Sequence, residues 1–216
     1  MRSLLPALLG LALASGAAAQ HSHSVPASGD DPHAVAETFV VDGFRIDNAD
    51  PPPGSAVGRA GLRYTDGGYV SVVHGKPYAR GRTIWGGVVG FGQVWAAGAH
   101  RATELVTTVP LRISQARVEP GAYSLFITPH HNAWTLHVNA SLGMHLADEY
   151  DPALDVARVD IVPDVLLAPV EGLTWSFRRD GAFLTLAWDR FGVDIPLARA
   201  DALPDQRPGQ APASGG

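Results

Sequence analysis

The sequence predicts an all-β fold, a jelly-roll-like antiparallel β-sandwich that carries one long loop rich in glycine and tryptophan. Short runs rich in Val, Leu and Tyr recur at 8–14-residue spacing, with Gly, Pro and Asp turns between them. That is the rhythm of antiparallel sandwiches and barrels. No segment after residue 19 repeats its apolar positions at the 3.6-residue helical period. Hydrophobic residues make up 46% of the 216-residue chain and charged residues 17%, a balance that favours a packed core over a solvated chain. Without a leader and a tail, the length fits one domain of roughly 150–170 residues.

Residues 1–19 (MRSLLPALLGLALASGAAA) have the order of a secretory signal peptide. One Arg precedes a Leu/Ala run, and Ala17-Ala18-Ala19 supplies the small-residue cleavage site. The apolar run is too short to span a bilayer, so a periplasmic or secreted protein without a transmembrane segment is expected. The chain has no Cys, which removes disulfides, thiol chemistry and a lipid-bearing Cys from consideration. Cleavage after Ala19 would leave Gln20-His21-Ser22-His23 at the N-terminus. His21 and His23 beside a free amine suit square-planar Cu(II) or Ni(II), the more so if cleavage falls one residue later and makes His23 third. The competing reading is a polar arm, and residues 20–35 read as a linker. The formal net charge of −5 argues against nucleic acid or an anionic membrane as partner.

The β-domain is expected over residues 36–198. Ala36–Ile46 reads as one or two strands, and Asp47–Gly58, with Pro51-Pro52-Pro53 in it, is expected to hold no regular structure. Arg59–Tyr64 and Tyr69–His74 form a hairpin pair around Asp66-Gly67-Gly68. Thr103–Val109 and Leu111–Ile113 follow, then a turn at Val118-Glu119-Pro120-Gly121. Ala122–Thr128 and Ala133–Asn139 make a second hairpin, in which Trp134, Leu136 and Val138 share one face and Thr135 and His137 the other. Val156–Val162, Leu173–Phe177, Phe183–Trp188 and Val193–Leu197 complete the inventory, with a turn at Arg179-Asp180-Gly181. Residues 199–216 read as a disordered tail.

Five stretches resemble one family: GRTIWGGVVGFGQVWAAGAHRAT (81–103), PGAYSLFITP (120–129), AWTLHVN (133–139), YDPALDVARVDI (150–161) and FLTLAWDRFGVDIPL (183–197). In this order they resemble the domain-of-unknown-function family DUF2911 over residues 60–198. The resemblance implies a bacterial exported β-domain with no assigned activity, and so no catalytic residues to carry over. It places Arg82, Trp95, Gly98, Thr103, Tyr123, Trp134, Asn139, Tyr150, Asp151 and Arg158 in the shared pattern. The chain departs from that pattern at Ala96, His100 and Arg101, where the family has Arg, Asn and Glu, and at Lys76-Pro77, where it has Arg-Pro. A family function that used the Arg or the Asn would be altered here.

Several constellations could carry chemistry. His74, His100, His130, His131, His137 and His145 could converge on a transition metal, but no H-x-H or H-E-x-x-H spacing supports it, and scattered histidines are the plainer reading. Asp148, Glu149, Asp151 and Asp155 around Tyr150 could do acid–base work on a sugar or hold calcium, although an EF-hand pattern is missing. Equally, Asp151 could cap its own turn and Arg158 could pair with Asp155. There is no G-x-S-x-G elbow, and Gly86–Gly92 lacks the end of a P-loop.

The stretch from Lys76 to Thr103 is the main candidate. Arg80, Arg82, Trp85, Trp95 and His100, joined by Trp134 or Tyr150, could line a concave site for a flat or acidic ligand. The plainer reading makes the tryptophans core and Arg82 part of a buried ion pair. The expected function is an exported binding or envelope-associated domain using this loop, its partner a small molecule or envelope component, with no cofactor. The alternative is a hydrolase of envelope carbohydrate or peptide, metal-assisted if at all, using His100, Asp151 and Arg82. The sequence leaves open whether the protein is an enzyme.

Overall fold

The computed structural model describes residues 33–42 and 54–201. The leader, His21, His23, the second half of the first expected strand (Phe44, Ile46) and the residues after 201 lie outside that range. The strands are β1 (Val35–Asp42), β2 (Ala56–Tyr64), β3 (Tyr69–Lys76), β4 (Thr103–Thr107), β5 (Leu111–Ile113) and β6 (Ala116–Val118), then β7 (Gly121–Pro129), β8 (Trp134–Asn139), β9 (Asp155–Ile161), β10 (Asp164–Phe177) and β11 (Phe183–Arg199). Seven form one sheet in the order β1-β2-β3-β4-β7-β8-β9, and four form a second in the order β10-β11-β5-β6. Every strand pair is antiparallel. The all-β sandwich expected from strand spacing is therefore the architecture, and the helical content described is a single 3-10 turn at Pro152–Leu154. Among the described residues no helix is long and apolar enough to cross a membrane.

Alternation builds the core. On β9, Ala157, Val159 and Ile161 are buried while Val156, Arg158 and Asp160 are exposed, as a strand with one wet face requires. Leu62, Val72, Leu105, Leu125 and Leu136 of the large sheet share one cluster with Ile113, Leu173, Trp175, Leu186 and Ile195 of the small sheet. A smaller cluster lies on the far face of the large sheet, where Ala96, Ala102, Phe126 and Met144 pack with Val94, Leu146, Ala147 and Tyr150. The segment 140–154 folds back across that face. His137 consequently points away from the main core and is still only 8% exposed.

Several boundaries differ from the sequence expectation. β2 begins at Ala56, inside the stretch 47–58 expected to be irregular, because residues 56–58 pair with residues 74–76 of β3. The three-residue strand β6 carries Arg117 between Ala116 and Val118, too short and too polar to register as a run. β10 begins at Asp164 rather than Leu173, because its first half pairs with β11 at the sheet edge while exposing Val165 and Leu167. Phe183–Trp188 and Val193–Leu197 are one strand. Its pairing with β10 is irregular where Asp189 takes a φ of 51°, so a polar break in the sequence is a kink rather than an end.

β11 also runs on to Arg199, whose buried guanidinium donates to Asp66 at 2.6 Å and to Asp201 at 2.5 and 2.8 Å. It also lies 5.0 Å from the Tyr64 ring centroid. The bidentate pair with Asp201 holds the guanidinium in place, and its remaining nitrogen, bonded to Asp66, ties the end of β11 to the β2–β3 turn.

Candidate functional site

The residues singled out in the sequence fall into four places. Arg80 and Arg82 hold a tight turn. Arg82 donates from Nε to Ala79 O at 3.1 Å and from its terminal nitrogen to Tyr78 O at 2.7 Å. Arg80 reaches Gly54 O at 2.6 Å, while its backbone N–H donates to Glu171 Oε1 at 2.7 Å. Arg80 and Gly81 both have positive φ, 50° and 68°, so the turn needs this bracing. Arg82 is exposed and bonded to carbonyls, which corrects the reading of a buried ion pair.

Trp85 and Trp134 lie in the core, 8% and 2% exposed, with Trp95 packed against them. The Trp85 ring sits 4.4 Å from Trp134, 5.8 Å from Trp95 and 6.2 Å from Trp188, centroid to centroid. Edge-to-face and tilted contacts of this kind suit aromatic quadrupoles. The indole N–H groups are used internally: Trp85 donates to Trp188 O, Trp95 to Gly98 O and Trp175 to Ala97 O. These rings cover one another.

His100 is elsewhere, on a cleft of about 320 Å³ at the C-terminal end of the loop. Its walls include Ala56, Val57, Val73, His74, Arg101 and Glu104. A close backbone approach forms the floor: a Cβ on Gly75 would collide with the carbonyl of Ala99. The segment above is strained, since Ala97 has φ 52° and His100 φ 67°, uncommon for residues with a side chain. Ala97 is held there by Thr103 Oγ1 and Trp175 Nε1, both donating to its carbonyl. Arg101 and His100 are exposed at the rim, and Glu104 accepts from the Gly143 N–H at 3.3 Å.

Tyr150 and Asp151 belong to the fourth place, the far face of the large sheet. Asp151 caps the 3-10 turn by accepting from Ala153 N at 2.9 Å. Tyr150 donates to Asp155 Oδ2 at 2.6 Å. The Asp155 carboxylate, 3% exposed, also accepts from Asn139 Nδ2 (2.8 Å), Arg158 Nε (2.5 Å) and His137 Nδ1 (3.1 Å). On the other side of the imidazole, His137 Nε2 lies 2.9 Å from Thr128 Oγ1. Burial works to raise the Asp155 pKa, but the donors from Tyr150, Asn139, Arg158 and His137 outweigh it and hold the carboxyl below its usual range. Burial and the bond to Asp155 push the Tyr150 phenol up to about 12.

Sequence reasoning placed Asp155 and Arg158 together but left His137 among scattered histidines and passed over Thr128. The signal that joins them is register: Phe126 faces His137, Thr128 faces Thr135, and Asn139 faces Asp155 across a shift in the β8–β9 ladder. Among the described residues no group of three or more His, Asp or Glu is placed to hold a metal.

A family model described as "Protein of unknown function (DUF2911)" matches residues 60–197, from β2 nearly to the end of β11. No curated protein and no solved structure matches the chain.

Proposed function

The chain belongs to the DUF2911 family, and from that premise we propose that it is an exported binding domain whose ligand occupies the cleft at the end of the 76–103 loop. The cleft itself carries the reading. Its volume of about 320 Å³ is at the lower end of small-molecule sites, roughly 300–1,000 Å³. Val57 and Val73 offer apolar wall, and the Arg101 guanidinium and His100 imidazole offer donors at the rim. That combination suits a small molecule or envelope fragment with an acidic group and a short apolar part. The strained backbone at His100 supports a site held open by its surroundings, and the leader-like residues 1–19 support export. The hydrolase alternative is weaker, because Asp151 caps a turn and Arg82 braces the loop backbone while His100 lines the cleft.

A thermal-shift screen of the mature protein against organic acids, sugars and peptidoglycan fragments tests this. A ligand at a hundredfold excess over its Kd stabilises by about 2.7 kcal/mol. The shift should vanish in Arg101→Ala and shrink in His100→Ala, with both variants still folded. A wild-type protein indifferent to all three classes would sink the proposal.

A further inference from the structure

The hydrogen bonds around His137 determine which nitrogen carries its proton. Asp155, held ionised by its donors, can only accept. The Tyr150 hydroxyl lies 3.0 Å from His137 Nδ1 and 2.6 Å from Asp155 Oδ2. A phenol with its pKa near 12 keeps its proton and directs it at the carboxylate, so its oxygen can offer Nδ1 only a lone pair. Nδ1 thus faces two acceptors and must bear the hydrogen. In the neutral ring Nε2 is then a bare lone pair, and the hydroxyl 2.9 Å away, Thr128 Oγ1, donates to it. This tautomer is assigned from the network. His137 is buried and Thr128 is half-buried, so the base is shielded while the residue that bears the hydroxyl keeps part of its surface in solvent.

A hydroxyl is a poor nucleophile until a positioned base takes its proton, and a buried carboxylate behind an imidazole orients that base. We propose that Thr128 is such a nucleophile, a reactive position on the far face of the large sheet, apart from the cleft, that accepts acyl groups from activated esters. Thr128 Oγ bonds to the acyl carbon as its proton passes to His137 Nε2. The bond from that carbon to the leaving alcohol breaks, and Nε2 returns the proton to the departing alkoxide. The products are acyl-Thr128 and the alcohol. Asp155 is a positioning residue, since it acts through the imidazole. The Thr128 amide points at Thr135 in the β7–β8 ladder, because the neighbouring Ile127 exchanges both its bonds with Trp95. The attack therefore gains no oxyanion donor from that amide, which slows both steps, and the acylated form accumulates because the alkyl ester on Thr128 is less activated than the aryl ester that forms it.

The experiment is to mix the full mature chain with p-nitrophenyl acetate, follow p-nitrophenolate, and map acetylation by mass spectrometry. A stoichiometric burst with the acetyl group on Thr128 is expected. Thr128→Val, close to isosteric, abolishes it, Thr128→Ser retains it, and His137→Gln suppresses it. Melting temperatures show which variants are folded. Should His137→Gln unfold, the Val and Ser pair at position 128 decides. Acetyl groups confined to Lys76, histidines or the N-terminus, or a burst unchanged in Thr128→Val, would overturn the assignment. None of these readouts depends on the cleft, so its ligand screen can fail or succeed independently.

Discussion

At the scale of single residues, close neighbours in one loop serve different ends according to what lies beside them. Trp85 packs against Trp134 of β8 in the core, whereas Arg82, three residues earlier in the loop, is exposed and braces the carbonyls of Tyr78 and Ala79. Gly75 makes the sharpest demand, since any side chain there meets the Ala99 backbone, which cannot rotate away. Gly75→Ala is expected to cost about 1–3 kcal/mol, as overpacking does, and to lift the 97–101 segment off the cleft. Denaturant unfolding together with loss of any cleft ligand checks it. A variant with wild-type stability would mean that the loop moves aside freely. The crowding at Gly75 is not legible in the sequence, because Ala99 reaches it only through tertiary packing.

At the scale of elements, the far face of the large sheet is held by titrating groups. Segment 140–154 is pinned by Ser124 Oγ to Ser141 O, Ala140 N to Leu154 O, and the bonds converging on Asp155. Asp155 has a depressed pKa when folded, so its contribution is present above the ordinary carboxylate value of about 4 and is lost as pH falls through that range toward its folded value. Tyr150 has the opposite sign. Its folded pKa, near 12, exceeds the ordinary value of about 10, so its contribution is present below pH 10 and fades as pH rises toward 12. Stability measured against pH should fall at both ends. Asp155→Asn should reduce the acid limb, leaving the part due to Asp66 and Asp201, which the bonds from Arg199 also hold low, and Tyr150→Phe should reduce the alkaline one. Tyr64, also raised to about 12 by burial, leaves a residual alkaline limb. Limbs unchanged in both variants would show that other groups set them. The strands that carry these residues were readable from alternation alone, but the network was not, since β7, β8 and β9 contribute one or more members each.

At the scale of the molecule, the loop between β3 and β4 is a structural part of the sandwich. Trp85 contacts Trp134 of the large sheet and Trp188 of the small one, and Trp95 pairs through its backbone with Ile127. The loop thus continues the sheet beside β7 and plugs the end of the core. Trp85→Ala is expected to cost about 3–5 kcal/mol, read by chemical denaturation. A loss under about 1 kcal/mol would mean that the plug is dispensable. Arg199 closes the sandwich at another point by joining β11 to the β2–β3 turn.

The sequence by itself determined the fold class, most strand positions, the glycine turns and the family, because alternation, turn chemistry and motif order are written between near neighbours. Only the tertiary structure decided that the three tryptophans proposed for a ligand pack together at the core, that His100 and Asp151 serve different places, and that Thr128, His137 and Asp155 form one chain of hydrogen bonds. Those outcomes depend on strand order and register, where a shift of one residue reverses every side chain. Register is settled by packing of the whole chain and is not carried by any local stretch of it.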